Sequence, residues 1–335
     1  MTISASLYTY RRSASAMPSL FPCHPCESET VSTTANGRTI GFAACALASS
    51  FWGCGFFFGK IALAEMGVGS MVFYRFMFAT IGLLPLLFTH RPNFTAAEWR
   101  KLLLATFLGV PLQFLVQFTG LSLTTVSHAS LMVGTMPVIL AIGAVVFMHE
   151  RLGLLGWMAL VFSTCGAALI ALGGHHNKAA GGPSLTGDLL VVVSLMIALG
   201  WILLNKSLLQ RHSAIVVTAY GTAAGTLMLS IVVPIAYGLP PVHGVSPKAW
   251  AALAASGILC TATTTLLWNW GMTKVPASQA GVLLNMEPLM GSLLGVLVLH
   301  EFLGALAYVG GAMIVGAAVV LTAQSPAPPA DPALV

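Results

Sequence analysis

The sequence predicts an all-α polytopic membrane protein, with ten transmembrane helices as two inverted five-helix repeats. Three observations carry that expectation. First, 57% of the 335 residues are hydrophobic and only 7% are charged, whereas a soluble domain is about 25% charged. The 14 Lys+Arg and 9 Asp+Glu cannot cover a water-facing surface of this size. Soluble enzymes, secreted disulfide scaffolds and disordered chains are disfavoured together. Second, apolar runs alternate with short polar breaks, and the runs reach the roughly 20 residues that a spanning helix needs. Third, two stretches 151 residues apart resemble each other.

In chain order, residues 1–38 are rich in Ser and Thr, carry Arg11, Arg12 and Arg38, and contain no run of spanning length. They read as a disordered cytoplasmic tail and not as a secretory signal; Met17 offers an alternative start. Spans are expected near 40–62, 70–89, 102–120, 125–147, 152–173, 187–205, 214–237, 249–271, 276–299 and 302–322. They must be helical, because lipid leaves no partner for an open backbone, and a β-barrel would show alternating segments of about ten residues. This divides the chain into a first repeat, 39–173, a periplasmic linker, 174–186, a second repeat, 187–322, and a Pro- and Ala-rich cytoplasmic tail, 323–335.

Orientation follows from the Lys and Arg of the connections. With the N-terminus in the cytoplasm, the inner side holds Arg11, Arg12, Arg38, Arg91, Arg100, Lys101, Arg151, Lys206, Arg211 and Lys274. The outer loops hold Lys178 and Lys248. An even number of spans returns the C-terminus to the cytoplasm. The basic residues are spread between apolar runs, so the pI near 9.0 implies no nucleic-acid partner.

The repeat is clearest between Ser127–Gly153 and Ser278–Gly304. Pro137 and Pro288 are 151 apart, as are Glu150 and Glu301, and both copies end in His-Glu-x-Leu-Gly. Gly120 matches Gly271 at the same offset. Lys60 matches Lys206, and Tyr74 matches Tyr220, at an offset of 146. Five spans separate the copies, so the halves have opposite orientation. Inverted repeats of this kind place a substrate site near mid-membrane and let two similar halves exchange conformations around it.

The stretch LLWNWGMTKVPASQAGVLLNMEPLMGSLLGVLVLHEFLGALAYVGGAMIVGAAVVL resembles the EamA-type repeat of the drug/metabolite transporter superfamily. The features are Val-Pro-Ala-Ser before the ninth span, Glu-Pro inside it, the terminal His-Glu and a Gly-rich tenth span. Phe51-Trp52-Gly53, Lys60, Tyr74-Arg75-Phe76, Pro137 and His149-Glu150 give the first half the same character. The resemblance covers residues 40–322. It implies a ten-helix carrier of the bacterial inner membrane with both termini inside, exporting amino acids or related small metabolites. In that layout the fifth and tenth helices pack outside the cavity. The chain departs from the family pattern at His149 and His300, where Gly is frequent, and at Gly221, where a second Arg75 would fall.

Candidate site residues are the polar and aromatic groups within spans. Glu287 is the sharpest, an acidic residue near the middle of the ninth span, where an unpaired charge is costly. It either binds a substrate amine or a coupling proton, or caps backbone groups freed by Pro288. Arg75 either holds a substrate carboxylate or anchors the outer interface by snorkelling or pairing with Glu65. Lys60 and Lys206 read as snorkelling anchors. Gln113 and Gln117 share one helix face. Gln117, Trp268, Asn269, Asn285 and Trp52 are candidate wall residues, with ordinary helix packing as the other reading.

Other chemistries find little support. Cys23-His24-Pro25-Cys26 falls short of a thioredoxin or zinc site. Gly153 and Gly304 stand where a metalloprotease would need its second histidine. The expectation is therefore a carrier with no cofactor and no metal, driven by a gradient. Its partners are a small-molecule substrate, the lipid bilayer and a coupling proton, with no obligate protein partner. A phosphate-bearing or nucleotide-sugar antiporter is the alternative cargo class, and an intramembrane enzyme or a channel the more distant one.

Overall fold

The structure, a computed structural model, describes residues 35–123, 132–173, 185–299 and 305–323. These residues form helices α1 (Ala35–Leu63), α2 (Val68–Thr89), α3 (Ala96–Leu123), α4 (Met136–Met148), α5 (Leu154–Gly173) and α6 (Leu185–Leu209). They continue with α7 (Ala214–Tyr237), α8 (Pro247–Met272), α9 (Ala277–Leu283), α10 (Met286–Leu299) and α11 (Ala305–Ala323). There is no strand among the described residues. Six helices, α1, α2, α3, α6, α7 and α8, are long and apolar enough to cross a membrane. Phe147, Leu154 and Ile235 stand well exposed on the outside of the bundle. Water does not favour apolar surface on that scale, and lipid does.

Several helix starts are written locally. Thr95 accepts from the N–H of Glu98, and Glu98 reaches back to the N–H of Thr95, a reciprocal cap at the head of α3. Ser213 and Ser246 cap α7 and α8 one way only, their side chains accepting from the N–H of Val216 and Ala249. These side chains satisfy N–H groups that have no partner inside the helix.

Two predicted spans are not continuous. The span expected over 276–299 is two helices, α9 and α10, broken at Leu284–Asn285. Pro288 is the reason: its ring excludes the carbonyl of Leu284 from the ladder and it brings no N–H of its own. The Leu284 carbonyl accepts from Glu287 N instead, at 3.0 Å. The span expected over 125–147 shows the same feature. A turn at Gly134–Thr135 precedes α4, with Pro137 in its first turn. Two π-helical segments match each other similarly, Leu108–Leu112 within α3 and Ile258–Thr263 within α8. Helix α1 begins at Ala35, inside the stretch read as a tail. Residues 1–34, the linker from 174 to 184, His128, His300, Glu301 and the tail from 324 lie outside the described residues, as does the side chain of Lys60.

Helices at matching places in the two halves pack on each other: α2 on α7, α4 on α9, and α5 on α11. Between α2 and α7, Thr80 Oγ1 and Thr226 Oγ1 lie 2.7 Å apart. These two threonines are 146 residues apart, the offset of the Lys60/Lys206 pair. Each of these threonines thus meets its own repeat mate across the contact between α2 and α7. Helices α3 and α6 pack together, and α1 packs on α8 and α10. Among the described residues, a largely apolar cavity with a few polar groups lies between the halves.

Candidate functional site

The cavity has about 1060 Å³ of empty space, open solvent at its mouth included. Its walls come from α1, α2, α3, α4, α6, α7 and α8, with Leu284 and Glu287 closing one side at the break before α10.

Arg75 on α2 is buried in its wall, only 3% exposed. Its Nε donates to Thr261 Oγ1 at 2.7 Å and its Nη2 to the Cys260 carbonyl at 3.1 Å. Both partners lie in the π-helical segment of α8, where the widened turn presents a carbonyl and a hydroxyl sideways. Thr261 Oγ1 in turn donates to the Ser256 carbonyl at 3.0 Å. Gly257 lets α8 approach the α2 backbone at Arg75 more closely than any side chain would allow. Gly55 on α1 does the same under the guanidinium, where an added Cβ would lie 3.2 Å from Nη2. The Phe114 ring faces the cation, its centroid 5.2 Å from Cζ. The two bonds occupy two of five N–H donors, and the remaining donors suit a bidentate carboxylate.

Glu287 sits in the first turn of α10, where the helix dipole favours a negative group. It lines the same cavity as Arg75, yet among the described residues no ion pair joins the two. A basic and an acidic side chain therefore line one low-dielectric space, within electrostatic reach of each other. Each charge is costly alone there, and a ligand that bridges them offsets both costs.

Five of the seven predicted residues line the cavity: Trp52, Arg75, Gln117, Asn269 and Glu287. Asn269 is tied down by its Nδ2, which donates to Thr218 Oγ1 at 2.9 Å. Trp268 and Asn285 do not line it. Trp268 lies behind Trp52, ring centroids 5.3 Å apart. Asn285, fully buried, donates to Ser163 Oγ on α5 at 2.9 Å. The period of a helix cannot say which side of a broken helix faces a neighbour, and the break at 284–285 turns Asn285 outward. Thr261, Thr218 and Thr265 were missed. Threonines are common in apolar helices, and nothing in their spacing singles these out.

Lys206 is not a snorkelling anchor. Its Nζ donates to the carbonyls of Met272 and Val275, at 2.7 and 2.6 Å, capping the C-terminal end of α8. Glu150 accepts from the N–H groups of Ala277 and Ser278, at 2.9 and 2.8 Å, at the head of α9. Arg38 donates to Gln279 at 2.7 Å. Two helices, α1 and α6, and the loop after α4 thus converge on the turn between α8 and α9 and the head of α9. Glu150 can reach it because His149 adopts a left-handed conformation, φ 54°, at the end of α4. Nor does Glu65 pair with Arg75. It accepts from Ser246 through both the N–H, at 2.7 Å, and the hydroxyl, at 2.6 Å. Those bonds hold its carboxyl below the ordinary value of 4.5.

Comparison with known proteins agrees with this architecture. A solved crystal structure matches with a TM-score of 0.69 at 19% identity, covering 86% of this chain and 98% of that one, which shows a shared fold. An "Uncharacterized transporter" of Archaeoglobus fulgidus is 26% identical over 83% of this chain and 96% of its own length. The "Uncharacterized transporter YetK" of Bacillus subtilis is 24% identical over 82% of this chain and 84% of its own. A "Probable terminal-alkyne amino-acid exporter" of Streptantibioticus cattleyicolor is 28% identical over 55% of this chain and 60% of its own. The EamA-like transporter family matches twice, over residues 39–172 and 185–323. With two copies of that domain filling most of its length, the chain belongs to the EamA-like transporter family and is a transporter, not an enzyme.

Proposed function

We propose that this protein is a secondary transporter of the inner membrane that exports amino acids or related zwitterionic metabolites. Ten helices in two inverted five-helix repeats alternate access to a mid-membrane site, with both termini in the cytoplasm. The observation that carries the reading is that Arg75 and Glu287 line one cavity with no ion pair closed between them. Arg75 receives the substrate carboxylate on its free N–H donors. Glu287 receives the ammonium group, or a proton when the site is empty. Gln117 and Asn269 orient the cargo, and Trp52 closes the wall. The family relationship supports transport of a small molecule, and the amino-acid exporter among the relatives is consistent with this cargo. Among the described lining residues Arg75 is the one cation, and Lys206 is engaged with backbone carbonyls. A phosphate-bearing cargo would need more positive charge than that.

Flux in proteoliposomes tests the reading. Vesicles loaded with a mixture of amino acids and small metabolites should lose one zwitterionic class selectively and saturably. Glu287→Gln should remain folded and reduce that flux more than tenfold or abolish its dependence on a pH gradient. Unchanged flux in Glu287→Gln at every pH would remove Glu287 from the mechanism.

A further inference from the structure

The matched positions of the two repeats carry different side chains where they face the cavity. In the first half, the Arg75 guanidinium lies over Gly55 and against Cys260 of the π-helical segment of α8. Gly55 matches Trp201, Arg75 matches Gly221 at the same 146-residue offset, and Cys260 matches Gly109 at 151. In the second half Trp201 on α6 fills the corresponding slot. Its indole lies flush on Gly109, in the π-helical segment of α3, where no side chain beyond hydrogen fits. Gly221 packs beside Thr106 and Leu102 and carries no guanidinium, and Trp201 lines the cavity. Both slots open on the same cavity, which Gly55, Arg75, Gly109, Trp201 and Gly221 all line.

The neighbours of each slot follow the same division. Arg75 has Thr261, Thr265 and Glu287 around its end of the cavity. On α6, Leu195, Ala198 and Ile202 share the face that carries Trp201, at the spacing of one helical stripe. Charge is concentrated at Arg75 and Glu287, while Trp201 offers a flat apolar surface on the α6 wall, which also carries the polar Asn205.

Resting on the zwitterion reading above, we infer that Trp201 is a stacking platform for the substrate's side chain, and that the preferred cargo is an amino acid bearing a flat, apolar group. The charged head binds at Arg75 and Glu287, and the side chain crosses the cavity to lie on the indole. A rigid ring held against a glycine presents its face without losing rotamer freedom on binding. Aromatic contacts of this kind prefer planar partners.

The test uses the full chain in proteoliposomes and compares efflux of phenylalanine, cyclohexylalanine and alanine. The wild type should move phenylalanine about tenfold faster than alanine and ahead of cyclohexylalanine. Trp201→Ala should collapse the phenylalanine-to-alanine ratio toward one, and Trp201→Phe should restore most of it. Thermal melting of each variant establishes that it is folded. Wild-type flux without preference for the planar side chain overturns the inference and leaves the zwitterion reading standing. So does a ratio that Trp201→Ala leaves intact. Failure of every amino acid to move, with folded protein, overturns both.

Discussion

At the head of α3 the cap is built within one helix: Thr95 and Glu98 satisfy each other, and Glu98 then reaches out to His212 at 3.2 Å and Arg211 at 3.7 Å. At the head of α8, 151 residues later, Ser246 stands in the place of Thr95, but the carboxylate comes from Glu65 at the end of α1. The same helix start is tied to a neighbouring connection in both repeats, with the acid on opposite partners. The cavity walls differ in the same manner, Arg75 over Gly55 on one side and Trp201 over Gly109 on the other. What repeats is the backbone: the π-helical segments, the breaks before Pro137 and Pro288, and the need to satisfy helix ends. Which side chain meets each need is free to diverge, and that freedom is where the two halves take on different chemistry.

The comparison can be broken most severely at Arg75. Arg75→Gln should lower flux of a carboxylate-bearing substrate about 100-fold, since a desolvated charge-assisted contact is lost. Arg75→Lys should recover only part of it, because an ammonium cannot bind a carboxylate through two parallel bonds. Equal flux in both variants would place the carboxylate elsewhere. Next in size is the turn between α8 and α9. Glu150→Ala strands the N–H groups of Ala277 and Ser278 and should cost about 1–3 kcal/mol in stability, read as a lowered Tm in detergent.

A smaller effect, of opposite sign, is expected at His149. A non-glycine residue in the left-handed region is strained, and His149→Gly should raise stability by about 1 kcal/mol. The smallest effect distinguishes the two caps by pH. The Glu65 carboxyl is held low by its bonds from Ser246. Its contribution is present at and above the ordinary carboxylate value and disappears as pH falls through the lower folded value. Melting curves of Glu65→Gln and wild type should therefore differ at neutral pH and converge in acid. A constant gap across that range would show that the carboxylate charge contributes nothing at Ser246.

Much of this was legible in the residues. The apolar runs and scarcity of charge announce spanning helices, because lipid admits no unsatisfied backbone. Pro137 and Pro288 in register, together with His-Glu at the end of each copy, announce the duplication. Glu287 and Arg75 stand out because charge inside a span is expensive. Other assignments needed the neighbours. Lys206 and Lys60 look alike as late-span lysines, and only the proximity of the α8 C-terminus shows that Lys206 is a cap. Trp268 and Trp52 look alike as buried indoles, and only their packing puts one in the wall and the other behind it.

By itself the sequence determined the solvent, the helical class, the repeat and the charged residues worth asking about. All of these follow from composition and local periodicity, which are properties of a segment. The tertiary structure alone decided that Arg75 meets the π-helical segment of α8, that Glu65 serves Ser246, and that Asn285 turns toward α5. Each depends on a contact between residues 122 to 186 apart in the chain. No local property encodes such a meeting, because it is settled by how the helices pack.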